Sequence, residues 1–380
     1  MTAVDIRPAG AASAAAAVSA VASLRPLAEA GYPLRTSLAG PGVEALRTIA
    51  ASLGLDLSLA GQAGRFDPIV DAVLRPYAHA TELAGAGAAV DGFLASRTEV
   101  RTADGVTLRT YAAGDPGRPA IILASACGMP AQLCEPWMRH LAGTHYVITW
   151  ETRGLFDPRC SDADFDTLAC DLSAQADDLL AVMDHYGLPD AHLMGLCGGA
   201  VIALQAAERA PRRVSSLSLW HGDFSGTPGP TTTHQDNLKA LMAMAATSRD
   251  DAAAINGALA QTALAAVPAD VAHLVVYPYV TAELFYRYCL LTGATMTTDI
   301  TALVPGVRQP VLVITSGDDH TAHPGGSHRI ADALPAATLR VEPHGDHISV
   351  FGAGPRLRQI LADFLAGSRA DIAPGTGSAA

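Results

Sequence analysis

Along the first 95 residues apolar positions recur at helical spacing, interrupted at Pro26, Pro33 and Gly40-Pro41. Val43–Leu53 and Pro68–Leu83 read as amphipathic helices, and no strand pattern is visible among them. The period changes at Thr98. Short alternating runs at Glu99–Arg101 and Thr107–Tyr111 flank Asp104-Gly105, a hairpin signal. Short runs that read as buried strands then begin to alternate with helical stretches. The runs are Ala120–Ala124, Tyr146–Trp150, Ala191–Leu196, Val214–Trp220, Pro310–Thr315 and Ala337–Glu342; Leu168–Tyr186, Gly199–Ala210 and Pro355–Leu365 carry helical spacing. Strand–helix repetition with such buried strands predicts an α/β fold, a mostly parallel sheet with helices on both faces.

Between Trp220 and Pro310 the pattern breaks into a long insertion. It opens on a Gly/Pro/Thr-rich loop, Gly226–Thr233, and continues as helices around Leu238–Ala246 and Asp251–Ala265 and an apolar-aromatic stretch, Val275–Leu291. An insertion of that length over strand ends reads as a functional lid. The expected organisation is an N-terminal helical region over 1–95, a core over 96–224 and 301–370, a helical lid over 225–300 and a disordered tail over 371–380.

Composition narrows the classes. The 380 residues are 49% hydrophobic, enough for a large core, with no run of about 20 apolar residues of the kind that spans a membrane. A net charge of -12 repels phosphate backbones, so nucleic acid is a poor partner. Ala11–Ser23 is alanine-rich but lacks the basic leader and leucine-rich run of a secretory signal. Six cysteines show no metal-ligand or disulfide spacing, so no metal, no cofactor and a reduced, cytoplasmic protein are expected.

Candidate chemistry sits where strands end. Gly195-Leu196-Cys197-Gly198-Gly199 lies between a buried strand and an alanine-rich helix, the setting of a nucleophile held on a sharp strand-to-helix turn. The helix N-terminus favours negative charge there, and the Gly198 N–H points to an oxyanion. A dinucleotide loop would follow the first strand of its unit; this one follows the third. Asp318-Asp319 follows Pro310–Thr315, and His344-Gly345-Asp346-His347 follows Ala337–Glu342. Asp319 and Asp318 compete for the role of acid. His347, just before an apolar run and the last helix, is favoured over His344 as the base.

The order nucleophile, acid, histidine, carried by Cys197, Asp319 and His347, is that of the α/β-hydrolase superfamily, which the chain resembles from about Thr98 to Leu365. Ala126-Cys127-Gly128-Met129-Pro130 resembles the superfamily's H-G-x-P loop with Cys127 in place of histidine, and by position implies the Met129 N–H as second oxyanion donor. Glu151-Thr152-Arg153-Gly154 resembles its D-x-R-G element. Within the superfamily three motifs are similar to those of polyhydroxyalkanoate synthases. Gly195, Cys197 and Gly199 match a G-x-C-x-G-G box with Ala200 at its last glycine. Asp318-Asp319-His320-Thr321-Ala322 resembles an acidic-Asp-His-I-x-P element, which selects Asp319 over Asp318. Asp346-His347-Ile348 resembles G-H-I. Dienelactone hydrolases also use Cys-His-Asp.

A cysteine nucleophile exchanges readily with thioesters, so the leading expectation is an acyltransferase working through an acyl-cysteine on a CoA or carrier-protein thioester, in specialised biosynthesis. Thioester, ester or lactone hydrolysis is the alternative, and a non-catalytic binding module a second. Cys127, Tyr279 and Tyr286 are the candidate pocket residues. The N-terminal region would support dimerisation, dock a carrier protein or cover the sheet.

Overall fold

The computed structural model describes residues 14–61, 64–81, 83, 91–265 and 267–372. They fall into two compact units, 1–95 with 258–281 and 96–257 with 282–380. The stretch expected as one lid is therefore divided: 225–257 and 282–300 belong with the sheet, and 258–281 with the N-terminal region.

The first unit carries helices Ala14–Ala22, Arg25–Glu29, Gly42–Ser52, Asp67–Leu74 and Gly92–Ala95. It is not purely helical. Strands β1 (Leu34–Thr36) and β2 (Leu57–Leu59) pair in parallel, each too short for alternation to register in the sequence. Asp71 pins β1, accepting from the Thr36 hydroxyl at 2.6 Å and the Ser37 N–H at 3.1 Å. The helix expected to reach Leu83 stops at Leu74, because Pro76 has no N–H with which to continue it.

The second unit is built on an eight-stranded sheet of β3 (Arg97–Arg101), β4 (Thr107–Ala113), β5 (Ala120–Ala124), β6 (Tyr146–Trp150), β7 (Ala191–Leu196), β8 (Val214–Trp220), β9 (Val311–Ser316) and β10 (Ala337–Glu342). Their order is β10-β9-β8-β7-β5-β6-β4-β3, with β3 and β4 antiparallel at one edge and the rest parallel. Every residue of β7 and β9 is buried, while β10, at the other edge, has none buried. Helices Leu172–His185 and Gly199–Arg209 pack together on the sheet; Ala203, Ala206 and Ala207 leave the backbones close. Asp171 accepts the Ala174 N–H at 2.9 Å as N-cap, which is why the first of these starts at Leu172 rather than Leu168.

Because parallel strands share a direction, the C-terminal ends of β5, β7, β8, β9 and β10 lie along one rim. That rim carries the site. The last helix runs Pro355–Ile372; the remainder of the expected tail lies outside the described residues. Among the described residues no helix is long and apolar enough to cross a membrane.

Candidate active site

Cys197 stands at φ 53, in left-handed backbone territory that non-glycine residues avoid at a cost of about 1–3 kcal/mol. Two glycines force it there. A Cβ on Gly195 would lie 2.5 Å from the Ala200 Cα, and one on Gly199 would lie 2.0 Å from the Ala124 carbonyl oxygen. The helix Gly199–Arg209 can thus start directly under the turn, and the Cys197 N–H reaches the Trp220 carbonyl at 3.0 Å. Its side chain remains partly accessible and unbridged.

Asp319, buried beyond β9, uses its whole carboxylate. Oδ1 accepts the Thr321 and Ala322 N–H groups at 2.8 and 2.9 Å. Oδ2 accepts from His347 Nδ1 at 3.1 Å and from His221 Nδ1 at 2.8 Å. Burial alone would raise its pKa, but the two imidazoles and the amides hold it well below the usual carboxylate range. His347 is 4% exposed, and its Nε2 closes no hydrogen bond to an oxygen or nitrogen among the described residues, leaving it to the neighbouring Cys197 sulfur. Burial pulls its pKa down; the neighbouring Cys197 sulfur and Asp319 outweigh that and raise it well above the ordinary value. Cys197, His347 and Asp319 are thus brought together as the sequence order required. His344 and Asp318 pair with each other at 3.2 Å in solvent, outside the cluster.

His221 went unread. It follows β8, is 2% exposed, sits at φ 46, and reaches Ser316 Oγ at 3.3 Å through Nε2. Its one local signal is a histidine standing straight after a buried strand. His221, Asp319 and His347 offer three ligand atoms within 4.8 Å of one another, but both Nδ1 atoms are already engaged on one carboxylate oxygen. A metal would have to displace those bonds.

The loop after β5 departs from expectation at one atom. The Met129 N–H donates to the Ala126 carbonyl at 3.2 Å and closes a turn, so it is not the free amide that the motif implied. The Cys127 amide nitrogen instead lies 3.9 Å from where a Gly198 Cβ would be. Thr152, in the Glu151–Gly154 element, holds the loop by accepting the Gly128 N–H at 2.9 Å. Arg153 braces the same region from inside, with bidentate bonds to Asp178 at 2.7 and 2.8 Å and others to Asp104 and the Ala169 carbonyl. The Cys127 thiol donates to Gln175 Oε1 at 3.4 Å, and burial pushes its pKa up to about 12. It is a packed thiol, not a reactive one.

The aromatic residues distribute differently from expectation. Tyr288, not Tyr286, packs on Gly128 of the loop. Tyr286 faces Arg249, whose guanidinium lies 4.7 Å from its ring centre, and Tyr279 is buried in the other unit. Helix Ala282–Thr297 crosses the loop: Thr292 Oγ1 donates to the Cys127 carbonyl at 3.5 Å, and Thr295 lies beside Gly198. Arg287, on the same helix, binds the Gly154 and Cys160 carbonyls, Asp162 and Glu283.

No protein-family model matches the chain. Solved structures place the fold. An enol-lactonase from Burkholderia xenovorans superposes with a TM-score of 0.56 at 21% identity, covering 71% of this chain and 100% of that one. An esterase from Thermogutta terrifontis gives 0.56 at 19%, covering 72% and 98%. The fold is that of the α/β hydrolases. Among curated relatives, proteins named carbamate hydrolase RutD are 28% identical over 253 residues in Variovorax paradoxus (65% of this chain, 91% of the relative) and 26% identical over 277 residues in a Caulobacter species (71% and 98%). The chain is thus similar to these relatives over about two thirds of its length.

Proposed function

We propose that this α/β hydrolase cleaves an acyl derivative (an ester, thioester, lactone or carbamate) through a covalent acyl-cysteine on Cys197. The observation that carries this reading is the geometry at Cys197: a nucleophile in a strained left-handed turn, beside a buried imidazole that a four-bonded carboxylate orients. His347 takes the thiol proton through Nε2, and the sulfur attacks the carbonyl carbon. Asp319 fixes the tautomer that leaves Nε2 free and stabilises the imidazolium that forms.

The oxyanion is received by the Gly198 and Cys127 N–H groups, neither of which donates to another residue among the described ones. The tetrahedral adduct collapses as His347 protonates the leaving heteroatom. Water, deprotonated by His347, then attacks the thioester, and the carboxylic acid (or carbamic acid) leaves with Cys197 regenerated.

Hydrolysis is preferred over the acyl transfer expected from a cysteine nucleophile because the named relatives and neighbours are hydrolases, a lactonase and an esterase. Transfer to an alcohol, amine or thiol would use the same first half. Intact-mass measurement after mixing with short acyl thioesters, aryl esters, lactones and carbamates tests the proposal, with Cys197→Ala alongside. A mass gain confined to wild type, decaying in buffer with release of free acid, is expected. Persistence of the adduct until an acceptor is added would turn the reading to transfer. Turnover undiminished in Cys197→Ala would overturn it.

A further inference from the structure

We infer that Asp223 is a recognition site, beside the nucleophile, for a cationic nitrogen on the acyl donor; the inference rests on the acyl-cysteine reading above. Asp223 follows β8 two residues after His221, and its own N–H bonds the Cys197 carbonyl at 3.3 Å. The side chain is fixed by one oxygen only. Oδ1 accepts the Ser225 N–H at 3.1 Å and Gln235 Nε2 at 2.7 Å. Gln235 is itself locked, because its Oε1 accepts the Thr232 and His323 N–H groups at 3.0 and 3.1 Å. Rotating it to present its oxygen to Asp223 would break both.

Oδ2 has no donor among the described residues, although Asp223 is only 9% exposed. Among the described residues no arginine or lysine pairs with it: Lys239, on the same helix as Gln235, spends its ammonium on the Ser225 carbonyl at 2.9 Å. His234 makes no hydrogen bond to it, and desolvation and the charge of His347 keep that imidazole below the ordinary histidine value. A mostly buried carboxylate with one oxygen open and no arginine or lysine beside it is a ready partner for a ligand cation, which would gain a charge-assisted hydrogen bond there.

The position makes the partner's chemistry specific. Asp223 lies near enough to the oxyanion loop for its charge to help push up the Cys127 thiol. The same charge opposes an oxyanion forming between the Cys127 and Gly198 amides. A neutral acyl group leaves that repulsion in place. An ammonium a few bonds from the carbonyl cancels it and gains a charge-assisted hydrogen bond to Oδ2. The favoured donors are therefore amino-acyl derivatives rather than simple fatty or aromatic ones, and the gain should appear in kcat/KM.

The test uses isosteric pairs of N-acetylcysteamine thioesters, β-alanyl against butanoyl and 6-aminohexanoyl against heptanoyl, with wild type and Asp223→Asn. A charge-assisted bond should favour the ammonium member of at least one pair by about tenfold or more in wild type, and the ratio should fall towards one in the variant. Cys197 acylation with equal ratios in the two proteins would overturn the Asp223 site while leaving the acyl-cysteine reading intact. If no thioester or ester loads Cys197, that reading fails, and an NMR titration with propylammonium against 1-propanol decides the site alone. Tighter propylammonium binding lost in Asp223→Asn supports it; equal binding of the two probes overturns it.

Discussion

Replacing His221 separates a residue that positions the triad from one that merely fills space. Its Nδ1 lies 2.8 Å from Asp319 Oδ2, closer than the 3.1 Å of His347 to the same oxygen. Such a charge-assisted bond is worth about 1.5–3 kcal/mol when a partner is deleted, equivalent to about 10- to 100-fold in a rate or equilibrium. Part of that loss falls on folding. Asp319 keeps the Thr321 and Ala322 amides and His347, so the carboxylate stays bound but regains freedom at Oδ2.

His221→Ala should therefore lower kcat/KM by about tenfold, well short of the loss from removing Cys197, and reduce stability by about 2 kcal/mol. His221→Asn is the informative partner: asparagine tolerates the left-handed backbone at this position and offers an N–H donor, so it should recover most of both quantities. The assays are single-turnover acylation across pH, where the limb set by His347 should move in the alanine variant and return in asparagine, and denaturant unfolding. Equal behaviour of the two variants, or an alanine variant with wild-type rate and pH profile, would refute a positioning role.

Gly199→Ala should lose at least about 1–3 kcal/mol of stability and most activity, because its Cβ meets the Ala124 carbonyl at 2.0 Å and must push away the strand end that leads into the oxyanion loop; a crystal or activity assay showing an unmoved, active site would contradict this. The raised pKa of His347 has a definite sign. The folded state holds that proton more tightly than the unfolded chain, so the stabilisation is complete below about pH 6.5 and is lost as pH rises through the folded value. Denaturation from about pH 6 to 10 should show a steeper fall for wild type than for Cys197→Ala, which lacks the sulfur that contributes to the shift; parallel curves would count against it. Arg287→Met strips donors from the Gly154 and Cys160 carbonyls and should cost about 1–3 kcal/mol in unfolding, with an unchanged midpoint as the contrary result.

What the sequence by itself determined was periodicity and order. Six strands were legible because their runs, like the wholly buried β7 and β9, are mostly apolar and too short to be helices, and most of their bounds fall where those runs begin and end. Cys197, Asp319 and His347 could be named because each lies in the loop or turn that follows a strand's C-terminal end, in the order nucleophile, acid, histidine. Local signals of that kind do not carry through-space pairing. The parallel pair β1–β2 was invisible, since three residues cannot display a period. Motif position points to the Met129 amide, yet whether an N–H is free depends on a turn bond to Ala126 that only the folded chain makes. His221 joins Asp319 across 98 residues of chain, through the neighbouring registers of β8 and β9. The open oxygen of Asp223 is likewise a consequence of what Gln235, Ser225 and Lys239 are already bonded to. Side-chain alternation is written residue by residue; which lone pairs remain unspent is settled only when every competing donor has been placed.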